Sequence, residues 1–163
     1  MSTASKLACM SSSKSRGEGG NLLAEVDLIE KEMIEMSVKQ KGSKAERELL
    51  HMFWAKNWAC LRSAGSGSMK YPGPDLIVSN KVRRLAIECK STKKKKQYLE
   101  EYDIKQLKDF CNIFGAEPWF EVRFARKDWL FLGIEDLEKT ENGYVIDVKT
   151  AERRGLLIDE LIK

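Results

Sequence analysis

Apolar and polar positions alternate over residues 85–90. Leu85, Ile87 and Cys89 would face one side of a strand, and Ala86, Glu88 and Lys90 the other. Residues 76–78 (Leu-Ile-Val) read as part of a second strand over 75–79, with Ser79-Asn80-Lys81 as the reversal between the two. Elsewhere the period lengthens to that of a helix. Ser43 and Glu46 fit a capping box, and Leu49, Leu50, Phe53 and Trp54 form the buried stripe of a helix running to about Asn57. A helix over about 101–114 would turn Ile104, Leu107, Cys111 and Phe114 inward and stop at Gly115. The strand containing 85–90 extends back to 83, and further strands are predicted at 58–62, 118–125 and 129–134, with a helical turn at 135–139. An edge strand at 143–148 and an amphipathic helix over 150–162, using Leu156, Leu157 and Leu161, complete the chain. The order α-β-β-β-α-β-β predicts an α/β domain in which a mixed central β-sheet is flanked by helices.

The residues ahead of this domain divide in two. Residues 1–20 are rich in Ser, Gly and Lys and are expected to be disordered. Residues 21–36 carry Leu22, Val26, Ile29 and Met33 on one helical stripe, to be docked on the domain or on a partner. The expected organisation is a disordered and helical extension over 1–37 and a folded domain over 38–163; an alternative is that the native chain starts at Met36.

Composition sets limits on function. The 163 residues suffice for one domain, and 42% apolar with 33% charged side chains describes a globular protein with a charged surface. No apolar run approaches the roughly 20 residues of a membrane span, and the N-terminus lacks the apolar stretch of a signal peptide. Cysteines 9, 60, 89 and 111 form no Cys-x-x-Cys pair, which suits reduced thiols in a cytoplasmic protein with no membrane partner. Residues 1–35 hold 4 basic and 6 acidic side chains, leaving 25 and 19 in the remainder, so the net +4 is −2 followed by +6. Four of the basic residues are the run Lys93–Lys96, a solvated loop or a contact for a polyanion.

The chemistry lies at the strand ends. Pairing of the two strands puts Asp75 opposite Glu88 or diagonal to it, where facing side chains sit roughly 4.5–5.5 Å apart and like charges repel. Two acids and Lys90 there are either solvated charges or the setting for a cation. All-oxygen ligands favour Mg²⁺, with Mn²⁺ as a substitute, over zinc, and the single histidine, His51, makes no cluster. Lys90 would steady attacking water or the charge growing on phosphorus. The peptide carbonyl of Cys89, between the two side chains that enter the site, is a further candidate metal ligand. Glu46 caps its helix, reaches the metal, or does both. The long loop Arg62–Pro74 leads straight into Asp75, and its glycines and hydroxyls would let backbone amides approach phosphate.

In order along the chain, Lys41-Gly42-Ser43 leading to Glu46-Arg47-Glu48, then Arg62-Ser-Ala-Gly-Ser66-Gly, Pro74-Asp75 and Glu88-Cys-Lys90, resemble the archaeal Holliday junction resolvases of the PD-(D/E)xK nuclease superfamily. The likeness runs from about residue 38 to 162. It implies a restriction-endonuclease-like fold and a homodimer that binds four-way DNA junctions and nicks two strands symmetrically with Mg²⁺. It also implies that Glu46, Asp75 and Glu88 are metal-binding acids, Lys90 the catalytic lysine and Ser66 a loop serine contributing to activity. The 118–134 sheet, including Trp119 and Phe120, is expected to supply either the dimer surface or core. Two rival functions stand beside this one: a related nuclease for another DNA structure, and a non-catalytic junction- or RNA-binding module.

Overall fold

The computed structural model describes residues 22–63, 71 and 73–163. The chain divides into two units, Met1–Val38 and Lys39–Lys163, and both sheets belong to the second. Its five-stranded sheet has the order β1-β2-β3-β5-β6, formed by β1 (Ala59–Arg62), β2 (Leu76–Ser79), β3 (Arg84–Thr92), β5 (Glu117–Phe124) and β6 (Leu130–Leu132). The β3–β5 pair is parallel and the other three pairs are antiparallel. A parallel pair needs a crossover. Here it is supplied by β4 (Lys96–Glu100) and α2 (Glu101–Phe114). A second sheet, β4-β8-β7, adds β8 (Gly143–Asp147) and β7 (Glu138–Thr140). Helix α1 (Leu22–Ala55) precedes β1, a short 3₁₀ turn (Ile134–Asp136) precedes β7, and α3 (Val148–Arg154) and α4 (Ile158–Leu161) end the chain.

The alternation along β3 explains why this strand is central. Leu85 and Ile87 enter one apolar cluster with Leu49 and Phe53 of α1, while Ala86 enters another with Ile104 and Leu107 of α2. Both faces of the sheet are therefore covered until β3 reaches Glu88. Helix α2 ends as the sequence predicts: Gly115 adopts φ 72°, and its N–H donates to the Cys111 carbonyl at 2.8 Å.

Several expectations are corrected. Ser43 lies inside α1 and caps nothing, because the helix continues upstream through Gly42. Phe114 is 42% exposed, not inward. Lys96 begins β4, so the lysine run is only partly loop, and residues 143–147 form the middle strand of the small sheet, not an edge. The terminal helix is broken, since Leu156 leaves it to exchange backbone hydrogen bonds with Phe131 at 2.8 and 2.9 Å. Phe120 is fully buried in the chain's own core, which removes it as a dimer contact. The expectation of disorder over residues 1–20 falls outside the described residues.

One polar junction ties the β2–β3 turn to the rest. Arg83 donates to both carboxylate oxygens of Glu117, at 2.8 and 2.7 Å, and to the Leu161 carbonyl at 2.6 Å. The hydrogen bonds from Arg83, more than its charge, hold the Glu117 carboxyl below its ordinary range against the opposing effect of burial. A depressed carboxyl stabilises the fold above its unfolded pKa, and that contribution is lost as pH falls through the folded value. Arg83→Met is therefore expected to cost about 1 kcal/mol at pH 7, a figure already reduced for the partial exposure of the pair. Urea unfolding should show the cost shrinking in acid and in high salt.

Candidate metal and nuclease site

The β2–β3 register pairs Leu76 with Ile87 and Ile77 with Ala86. Continued past the end of β2, it sets Asp75 against Glu88 and Pro74 against Cys89. Asp75 accepts a hydrogen bond from the Cys89 N–H at 2.9 Å, so its carboxylate lies across the end of β3. Pro74 has no N–H and cannot donate to the Cys89 carbonyl, where any other residue would complete the ladder. That carbonyl and the Asp75 carboxylate thus belong to one corner of the sheet.

Lys90 sits two residues beyond Glu88 on the same face. Its ammonium lies 3.0 Å from Glu88 Oε1 and 3.6 Å from Asp103 Oδ2, in the first turn of α2. Burial pushes the Glu88 carboxyl up to about 7; the Lys90 charge opposes this and the Asp75 charge adds to it. Burial also pulls the Lys90 ammonium down. The charges of Glu88, Asp103 and Asp75 more than offset that, leaving it above its ordinary value. Glu88 is the under-compensated charge of the group. A carboxyl held near neutrality by burial and a second acid is one that a divalent cation would return to its ionised form. The donors here, two carboxylates and a carbonyl, are all oxygen and fit a hard cation of the Mg²⁺ or Mn²⁺ type.

Of the five side chains singled out from sequence, Asp75, Glu88 and Lys90 come together. Glu46 does not join them directly: it is ion-paired with Arg62 of β1, which also donates to Ser43 Oγ at 2.9 Å. It is nevertheless close enough for its charge to act on the Cys89 thiol. Among the described residues no three acidic, histidine or cysteine side chains stand close enough to enclose a metal. Ser66 falls outside the described residues. Sequence reasoning missed Arg62, although it stands in the quoted Arg-Ser-Ala-Gly segment, and Asp103, whose only signal was an acid at a helix start. It also missed the pair of Arg123 with Glu48, which local spacing does not carry.

A family model described as archaeal Holliday junction resolvase (Hjc) matches residues 37–163. The chain is 39% identical over 110 residues to the crossover junction endodeoxyribonuclease Hjc of Archaeoglobus fulgidus, covering 68% of this chain and 81% of that one. It is 38% identical over 108 residues to the Hjc of Methanocaldococcus jannaschii, covering 66% and 77% respectively. The solved structure of Archaeoglobus fulgidus Hjc, described as a Holliday junction resolvase from an archaeal hyperthermophile, superposes with a TM-score of 0.70. It is 35% identical and covers 75% of this chain and all of that one. The mixed sheet, its flanking helices and the sequence likeness agree, and the chain belongs to the archaeal Holliday junction resolvase family.

Proposed function

We propose that this protein resolves four-way DNA junctions by metal-dependent paired nicking, with Asp75 and Glu88 as the principal metal-holding acids. The observation that carries the site is the Asp75 carboxylate bonded to the Cys89 amide, with Glu88 and Lys90 on either side of that residue. A bound divalent ion supplies water of lowered pKa and offsets the charge on the scissile phosphate and the leaving 3′ oxygen. Mg²⁺ is the expected ion and Mn²⁺ its substitute. The Cys89 carbonyl adds an oxygen ligand, and Glu46 supports the site from α1, where Arg62 orients it. Ser66, nine residues before Asp75 in the sequence, is assigned a supporting role by its place in the family motif. Lys90 remains an ammonium and donates to the attacking water or to a phosphoryl oxygen. Phosphodiester hydrolysis balances as water addition at phosphorus with the 3′ oxygen leaving protonated.

Asp103 is the positioning residue for Lys90 in this reading, since its carboxylate, 3.6 Å from the ammonium, would still hold it once Glu88 turns to a cation. Asp103→Asn is expected to slow single-turnover nicking about tenfold, roughly 1.4 kcal/mol, with junction affinity unchanged. Asp103→Glu should restore most of the rate, which a purely structural role would not require.

Paired cuts on two strands of like polarity call for two sites, and we assign a homodimer in residues 38–163, with residues 1–37 as an extension. Ile113 is 89% exposed, and Phe114 is exposed while stacked on Phe110 at 5.2 Å between ring centroids. This apolar end of α2 is the best candidate for the surface a second copy would cover. No described helix is long and apolar enough to cross a membrane, and a DNA junction as substrate supports a cytoplasmic location in this reading. The test is an end-labelled four-way junction beside a matched linear duplex, in Mg²⁺ and in EDTA. Paired symmetrical nicks on the junction alone, lost in EDTA, are expected. Equal cutting of the duplex would move the protein to another nuclease activity, and binding without cuts would leave a junction-binding module.

A further inference from the structure

A second feature of the sheet lies on the far side of β3 from Asp75. In the parallel β3–β5 pair, Ser91 is in register with Arg123. Arg123 is pinned from two directions. Glu48 of α1 receives it at 2.9 and 3.1 Å, and its guanidinium carbon lies 4.8 Å from the Trp129 ring centroid. The Trp129 indole N–H donates to the same Glu48 carboxylate at 3.1 Å. These three residues form the wall of an open cavity of about 370 Å³, whose rim carries Lys44, Lys93 and Arg126.

The charges around this cavity are unbalanced. Four cations face one acid, Glu48, and that acid is already bound to Arg123. Lys44, Lys93 and Arg126 are exposed, and none is ion-paired with a described residue. Side-chain entropy argues against gathering three long cations around one opening unless an anion repays it. Ser91 is three residues beyond Glu88, roughly 10 Å along an extended strand. A DNA strand rises roughly 3.4 Å per nucleotide along its axis. Ser91 alternates onto the face of β3 opposite Glu88, so the cavity opens beside the candidate metal site across the strand, a separation that a few successive phosphates of one DNA strand can span.

We infer that this cavity receives a backbone phosphate of the bound DNA, flanking the scissile one, and so fixes the register of the strand across the end of β3. The inference rests on the nuclease reading of the Asp75–Glu88 corner for the identity of the strand. Its chemistry is that of a phosphodiester held by a preset guanidinium at the wall and exposed cations at the rim.

The test uses the full chain and the variant pair Lys93→Gln with Arg126→Asn. Neither residue is among the metal or lysine groups above. Asparagine suits the backbone of Arg126, which has φ 62°. Junction affinity is measured in EDTA across a salt series. Loss of the two rim cations that hold this phosphate should weaken binding about tenfold at moderate salt and reduce the slope of log K against log salt by about 1. Single methylphosphonates placed at each position flanking the cut should locate one linkage whose neutralisation weakens the wild type and not the double variant. An unchanged slope together with unchanged methylphosphonate sensitivity would overturn the inference. Since binding in EDTA is independent of nicking, failure of the nuclease reading would leave this measurement standing, and failure of the cavity would leave nicking intact.

Discussion

Asp75→Asn is expected to abolish nicking of a four-way junction while leaving the junction bound. The substitution keeps the size of the side chain and leaves an amide oxygen able to accept from the Cys89 N–H, so the end of β3 should hold its shape. It removes one of the two carboxylates facing the same corner, and with it the charge that makes the site attractive to a divalent cation. A loss on the order of 10³-fold in single-turnover rate, about 4 kcal/mol of transition-state stabilisation, is anticipated. Junction affinity in EDTA should change less than about twofold, or rise slightly, because one negative charge near the phosphate path is gone. A quench-flow or gel time course, with a binding titration alongside, separates the two effects.

Glu121→Met should have the largest effect on stability. Glu121 lies on β5 in register with Cys89, is fully buried, and has no hydrogen-bond partner for either carboxylate oxygen among the described residues. Burial holds its pKa well above the ordinary 4.5, and the nearby Cys89 thiol and Arg123 charge relieve this only in part. The folded chain therefore keeps a proton that the unfolded chain releases. Stability is unreduced by this group below pH 4.5 and falls as pH rises toward the folded value, by about 1.4 kcal/mol per pH unit. Methionine fills a similar volume without a polar group to desolvate. The variant should be more stable than the wild type at neutral pH, because methionine has no carboxyl to desolvate or to hold protonated. The difference should be smaller at pH 5 than at pH 7, as read by urea unfolding. An equal difference at both values would mean that the carboxyl is not held protonated by the fold.

The fold was legible where local pattern decides it. The alternation at 85–90, the stripe at Leu49 and Phe53 and the stop at Gly115 all reflect forces acting within one turn or one strand. Of the second sheet only the strand at 143–148 was legible, and not its central place. Strand β4 starts in a lysine run and is polar at most positions, so only its pairing with β8 makes it a strand. Leu156 shows the same limit, since a long-range exchange with Phe131 overrides a helical pattern.

The candidate site divides in the same way. Asp75, Glu88 and Lys90 could be placed together because strand register fixes them relative to one another. The neighbours that tune them, Arg62 against Glu46 and Asp103 against Lys90, come from elements 13 to 16 residues away. Their approach depends on how α1, β1 and α2 pack, and residue spacing contains no record of that.

The metal site is tested most directly by the binding of Mn²⁺ itself, followed by titration calorimetry with electron paramagnetic resonance to count bound ions. The wild type should bind Mn²⁺ without DNA, displaceable by Mg²⁺. Asp75→Asn and Glu88→Gln should each weaken that binding by tenfold or more while unfolding cooperatively like the parent. Unaltered Mn²⁺ binding in both variants would contradict the assignment of the β2–β3 corner as the metal site.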